Sequence, residues 1–327
     1  MDPLRWGVLG VAKIAVGKVI PAFQRSAQGE VTAIASRDMA RAMEAAARLG
    51  IQEAYGSYEE LLGSDGVDAV YVPLPNHLHK EWTLAAARSG KHVLCEKPLA
   101  LTAADAAEMV EACAAAGVLL MEGFMYRLHP SWQEVRRLVS DGAIGELRAI
   151  HTRFAYFNDD PEDIRNRLEY GGGALMDIGC YAVNLSRMLF GEEPTRVAAT
   201  IQRDPTFGTD IVTSALLEFE HGHATFTVST RLEPDQRVHL AGSQGRIEVE
   251  IPFNIPPDRK SRIHLIRGGE QPVAPNMDTI SFPPADPYTL EADAFGRAVR
   301  EGVPVPIPPE DGVANMRVIE RIIDAAG

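Results

Sequence analysis

Short apolar runs and helix-spaced apolar positions alternate through the first third of the chain. Leu4–Leu9 is an apolar run that stops at Gly10, the pattern of a strand buried on both faces. Ile14, Val19, Ile20 and Phe23 then recur at helical spacing within Lys13–Arg25, where Pro21 predicts a kink. Val31–Ala35 reads as a second strand. Asp38 caps an Ala-rich helix that Gly50 closes, and Ser57 with Glu60 forms a capping box. Val67–Val72, His92–Cys95 and Val118–Met121 are further strands, separated by helices at His79–Ser89 and from Thr102 to Gly117. Strand and helix alternating at this spacing predict βαβ units and a parallel, doubly wound sheet.

Beyond about residue 125 the pattern changes. Helical periodicity remains at Pro130–Ser140 and Asp177–Leu189, while Val197–Arg267 reads as successive strands. Turns fall at EHGH (220–223) and GSQG (242–245), the mark of a largely antiparallel sheet. Pro252–Asp258 and Pro272–Pro287 read as loops, and Leu290–Arg300 and Glu310–Ala325 as closing helices. The expected fold class is α/β. Residues 1–124 form a nucleotide-binding domain and 125–327 an α+β domain with a large, mostly antiparallel open sheet, whose last helix can pack back on the first domain.

Composition narrows the function classes. The 327 residues are 46% hydrophobic and 24% charged, which supports a packed core rather than a disordered chain. A net charge of -13 lacks the basic field that nucleic-acid binding needs. Cys95, Cys113 and Cys180 sit among apolar residues and form no disulfide framework, so a reduced, cytoplasmic compartment is expected. MDPLRWGVLG lacks a basic segment followed by a long apolar run, and no stretch of about 18 apolar residues reads as a membrane span.

Candidate chemistry begins at Gly10, Val11, Ala12, Lys13 and Ile14, where a dinucleotide fingerprint G-x-G-x-x-G belongs. Its second and third glycines are Ala12 and Ala15, so the turn alone is a weak signal. Dinucleotide enzymes that use NAD place a carboxylate at the end of the second strand, whereas an Arg accommodates a 2′-phosphate. Here stand Ser36 and Arg37, and Asp38 is placed to cap a helix, which favours NADP over NAD. Glu96-Lys97-Pro98 would deliver a cation to the carboxyl edge of the sheet, beside Leu74-Pro75-Asn76 and MEGFMYRLHP (121–130).

These segments, with PLPNHLH (73–79) and GGGALMDIGCY (171–181), occur in an order that resembles the glucose–fructose oxidoreductase, inositol dehydrogenase and MocA family. The forms are most similar to the branch that includes glucose–fructose oxidoreductase, dimeric dihydrodiol dehydrogenase and NADP-dependent D-xylose dehydrogenase. The resemblance implies a Rossmann domain, a nicotinamide cofactor and a carbohydrate-like substrate. It assigns Lys97 to substrate and cofactor, Glu96 to its orientation, a cis peptide to Lys97–Pro98, and the acid/base role to Tyr181. Asp177 is implied at the catalytic pair or substrate, and lies four residues from Tyr181 on one helical face. Leu74, Pro75, Asn76, His79 and Arg127 are implied at the cofactor, and Arg165 and Arg167 near substrate. Packing of the second-domain sheet on a second copy is implied, as homodimer or homotetramer.

Sugar oxidation needs a group that takes the hydroxyl proton while the cofactor takes hydride. A free phenol titrates near ~10, and a nearby ammonium lowers that value. The expectation is an NADP-dependent oxidation of an aldose at C1 to the lactone. A keto- or anhydro-sugar reductase, a trans-dihydrodiol dehydrogenase and a non-catalytic dinucleotide-binding regulator remain alternatives. His77-Leu78-His79 has metal-ligand spacing but no third ligand in sequence, so no metal is expected. His129 and Trp132 are read as packing residues, with the rim of the active site an alternative for Trp132.

Overall fold

The computed structural model describes residues 3–268 and 276–327. Two compact units form: the chain up to Met125 with Pro287–Met316, and Tyr126–Asp286 with Arg317–Gly327. Residues 287–316, placed in the second domain from sequence, therefore belong to the first.

The first unit holds β1 (Leu4–Leu9), β2 (Gly29–Ala35), β3 (Glu53–Tyr55), β4 (Ala69–Val72), β5 (His92–Glu96) and β6 (Leu120–Gly123). They make a parallel sheet in the order β3-β2-β1-β4-β5-β6. The winding reverses between β1 and β4, so a crevice opens at the carboxyl ends of those strands, where ligands of open α/β sheets bind. Helices α1 (Ile20–Phe23), α2 (Met39–Leu49), α3 (Tyr58–Leu62), α4 (His79–Arg88) and α5 (Ala103–Ala115) connect the strands. Asp38 caps α2 through the N–H groups of Ala40 and Arg41, and Ser57 caps α3. The kink expected at Pro21 is a widened turn over Ala15–Val19, which absorbs the N–H that Pro21 lacks.

Helices α8 (Pro287–Glu301) and α9 (Pro309–Ala326) were expected, and α8 belongs to the core of the first unit. Trp6 in the middle of β1 is fully buried between Phe23, at 4.8 Å, and Phe295 of α8, at 5.2 Å.

The second unit contains α6 (Pro130–Ser140), α7 (Cys180–Phe190) and an eight-stranded sheet. Its strands are β7 (Leu147–Phe157), β8 (Arg196–Arg203), β9 (Asp210–Glu218), β10 (His223–Ser229), β11 (Arg231–Gly242), β12 (Gly245–Val249), β13 (Ser261–Arg267) and β14 (Asn276–Phe282). The order is β14-β13-β12-β11-β7-β10-β9-β8, and neighbours are antiparallel except β7 with β10.

Two strands correct the sequence reading. β7 lies at the centre of the sheet, but His151 and Arg153 point to its open face, and with exposed Arg148 near its start they hide the period-2 apolar pattern. β14 is an edge strand with few apolar residues inside the stretch read as a loop; residues 272–275 of that stretch lie outside the described residues. Among the described residues, no helix is long and apolar enough to cross a membrane.

Candidate active site

In the first unit the candidate cofactor residues gather at the carboxyl ends of neighbouring parallel strands. Gly10 leaves β1 with φ +109°, a conformation that strains any residue with a Cβ. Its N–H donates to Ala35 O at the end of β2 over 2.8 Å. A Cβ on Gly10 would stand 3.1 Å from Leu74 Cδ2 and 3.4 Å from Tyr58 Oη, so the turn needs glycine for space as well. Val11, Ala12 and Ile14 are half-exposed on this turn, and Lys13 is exposed.

At the end of β2, Ser36 is buried and its hydroxyl accepts the Asp38 N–H over 3.2 Å. The Asp38 carboxylate faces the N-terminus of α2. Arg37 is exposed and stands beside Tyr58: burial pushes that phenol up in pKa, while Arg37 and Arg41 pull it down. Tyr58, 4.7 Å from Trp82 in an edge-on contact, thus lies between the Gly10 turn and Arg37. The sequence showed only its helix cap. The Gly10 turn, the Arg37 cation and the diverted Asp38 fit a dinucleotide with a 2′-phosphate.

Leu74, Pro75 and Asn76 follow β4, with Asn76 half-buried at the start of a short 3₁₀ turn. His79, expected at the cofactor pocket, is fully buried. Its Nδ1 lies 2.9 Å from Pro98 O and its Nε2 2.8 Å from Leu74 O, so it ties the loop after β4 to the turn after β5. The two carbonyls favour a second proton, but burial prevails and holds its pKa at about 4. Neither nitrogen of His79 is directed at a metal partner of His77, and His77 is half-buried.

Lys97 follows β5, half-buried, and Lys97–Pro98 is a cis peptide. Glu96 Oε1 accepts the Tyr71 O–H over 2.6 Å, and Glu122 Oε1 accepts the Leu99 N–H over 2.8 Å. The turn that presents Lys97 is therefore held from both sides by carboxylates.

In the second unit, the loop Gly171–Gly173 leads into a widened helical turn, Leu175–Gly179, and then α7. Gly173 has φ +117°, and a Cβ there would lie 1.9 Å from Asp210 Oδ1. Asp210 is buried and its Oδ2 accepts the Leu175 N–H and the Thr213 O–H, each over 2.7 Å. Burial raises its carboxyl pKa against those two bonds. This buried acid fixes the start of the segment that carries Asp177 and Tyr181; nothing in the sequence marked it.

Tyr181 is buried, and its ring lies 5.2 Å from Phe253, 5.8 Å from Phe154 and 5.8 Å from Tyr126. Three aromatic rings thus fix the phenol's direction. Tyr126 is itself held by Asn184 Oδ1, 2.6 Å from its hydroxyl. Phe253 came from a stretch read simply as a loop.

Asp177 accepts the Tyr156 O–H, and Arg165 Nε donates to the same oxygen over 3.1 Å. Burial, reinforced by the Asp177 charge, raises the Tyr156 pKa; Asp177 also keeps Arg165 firmly protonated. The structure therefore joins Asp177 and Arg165, and adds Tyr156, which the sequence reading passed over. Arg167 instead pairs with Glu162 over 3.0 Å and lies 5.5 Å from the centre of the Tyr170 ring. Arg127 is half-buried on a short turn, Met125–Leu128. His129 caps α6 with its ring, and Trp132 is fully buried with Nε1 donating to Pro252 O over 2.6 Å, so both serve packing.

Comparison with known proteins agrees with this organisation. The model of the oxidoreductase family with an NAD-binding Rossmann fold matches residues 4–124, and that of the GFO/IDH/MocA C-terminal domain matches 132–248. The chain is 41% identical to D-xylose 1-dehydrogenase (NADP(+)) 2 of Haloferax volcanii, over 99% of this chain and 97% of the relative. It is 36% identical to dTDP-3,4-didehydro-2,6-dideoxy-alpha-D-glucose 3-reductase of Saccharopolyspora spinosa, over 99% and 97%. The crystal structure of KijD10, a 3-ketoreductase from Actinomadura kijaniata in complex with NADP and TDP-benzene, superposes with a TM-score of 0.92 at 32% identity. That match covers 99% of this chain and 98% of the other. With both family models matched and full-length relatives above 30% identity, the chain belongs to the GFO/IDH/MocA family of oxidoreductases.

Proposed function

We propose that this oxidoreductase uses NADP to oxidise an aldose at C1 to the lactone. Tyr181 acts as acid/base and Lys97 assists it. The observation that carries the reading is the Tyr181 phenol fixed by three aromatic rings on the segment that also bears Asp177. The 41% identity to a D-xylose 1-dehydrogenase favours an aldose. The Gly10 turn, Ser36, Arg37 and the loop from Leu74 to Asn76 would hold NADP, which supplies the hydride acceptor when bound. Tyr181 takes the hydroxyl proton, and the Lys97 ammonium favours the phenolate that receives it. Asp177, joined to Tyr156 and Arg165, orients substrate or the acid/base pair.

The test is a nicotinamide-absorbance screen of aldoses, polyols and dihydrodiols with NADP and NAD. Turnover of an aldose with NADP is expected, and Tyr181→Phe and Lys97→Ala should each lower kcat by about 10²–10⁴-fold. Near-normal turnover in either variant refutes its assigned role. Likeness to the two 3-ketoreductases favours a second reading, reduction of a keto sugar by the same residues. Turnover of a keto sugar with NADPH, and of no aldose with NADP, would select it.

The open face of the second sheet bears a broad hollow of about 820 Å³ lined by His151, Arg153, Thr225, Thr227, Arg237 and His239. We infer that a second copy covers this face in a homodimer or a tetramer built from it. Light scattering that finds monomers at micromolar concentration would refute this.

A further inference from the structure

One buried acid beside the Lys97 turn has no part in the account above. Glu291, on α8, is 1% exposed, and its Oε1 is buried with no hydrogen-bond partner among the described residues. That oxygen lies 3.8 Å from the place a Cβ on Gly123 would occupy. The same place is 3.6 Å from Glu96 Cα, and Gly123 is the register partner of Glu96 across β5 and β6. The Glu291 carboxyl therefore stands at the end of β5 and β6, next to the strand end that carries Glu96.

Buried carboxylates without partners are strongly disfavoured, whereas the acid form carries one O–H that needs an acceptor. Burial and then the Glu96 charge hold Glu291 well above the usual carboxylate range. Tyr71 donates to Glu96, and burial, reinforced by Glu96 and more weakly by Tyr288 and Glu291, holds its phenol well above the usual range. Glu122 anchors the other side of the turn through Leu99.

We propose that Glu291 is a positioning residue, a neutral acid whose O–H bonds the Glu96 carboxylate and so holds the strand end from which Lys97 departs. The kinetic part of this inference rests on the proposed sugar oxidation; the spectroscopic part does not. An infrared difference spectrum of the wild-type chain minus Glu291→Gln, recorded without sugar, should show the carbonyl stretch of a protonated carboxylic acid from neutral to alkaline pH. Glu291→Gln keeps a neutral donor, so its kcat should stay within about threefold of wild type, while Glu291→Ala should lose about tenfold or more in kcat. NADPH affinity, read by fluorescence, should stay within about threefold in both variants, which separates positioning of Lys97 from loss of the cofactor fold. Absence of the carbonyl band, or wild-type kcat in a folded Glu291→Ala, overturns the proposal. If the wild type turns over no sugar, the function assigned above fails and the band alone decides the state of Glu291. If Glu291→Ala does not fold, the band and the Glu291→Gln kinetics decide.

Discussion

Gly173→Ala tests how the segment bearing Tyr181 is held. The new methyl carbon would fall 1.9 Å from Asp210 Oδ1, far inside contact distance, at φ +117°. The backbone conformation costs about 1–2 kcal/mol for a residue with a Cβ. Displacing Asp210 weakens its bonds to Leu175 and Thr213 inside the core, adding about 1–3 kcal/mol. The expected loss is therefore about 2–5 kcal/mol. Gly191→Ala is the control: that glycine ends α7 at φ +71° with nothing within 4 Å of its Cβ position, so it carries the conformational cost alone, about 1 kcal/mol. Urea unfolding of both variants gives the comparison, and kcat of Gly173→Ala should fall because the helix start moves. Equal destabilisation by the two substitutions would refute the Asp210 anchor.

Three further outcomes follow from the site. Arg37→Ala should raise KM for NADP about 10- to 100-fold, the loss of one charge-assisted contact, and change KM for NAD by less than about threefold; an unchanged NADP KM removes Arg37 from the 2′-phosphate. Tyr156→Phe takes a donor from Asp177 and should lower kcat about tenfold with the fold retained by circular dichroism. His129 is held by burial at about 4, against about 6.5 when unfolded, so the unfolded chain binds the proton first as pH falls. That stability is present above the unfolded value and is lost on acidification, by about 2 kcal/mol between pH 7 and pH 5. Asn also caps helices, so His129→Asn should flatten the loss by that amount in urea titrations at the two pH values.

Five of the six parallel strands were legible because they are largely buried and read as apolar runs between capped helices, whereas β3, a three-residue edge strand without a buried residue, carries no such run. Asp38, Gly50, Ser57 and Thr102 mark those helices by local chemistry and occupy the cap positions expected. β7 escaped because a strand with one open face carries charges there, and its alternation competes with the polar texture of a loop. Lys97, Tyr181 and the Gly10 turn were visible as motifs. Their supports were not: Tyr58, Tyr156, Asp210 and Phe253 act through contacts between residues far apart in sequence, and no local spacing encodes such a meeting. The arginines show the same limit, since sequence offered Arg165 and Arg167 equally and folding sends one to Asp177 and the other to Glu162.

Helix α8 lays Phe295 against Trp6, so the first strand of the chain waits for a residue near its end. All eight strands of the second sheet are therefore synthesised before the helix that completes the core of the first unit. A product truncated before Pro287 would keep every cofactor motif of the first unit and lose the Phe295 side of the packing around Trp6, leaving part of an indole open to water.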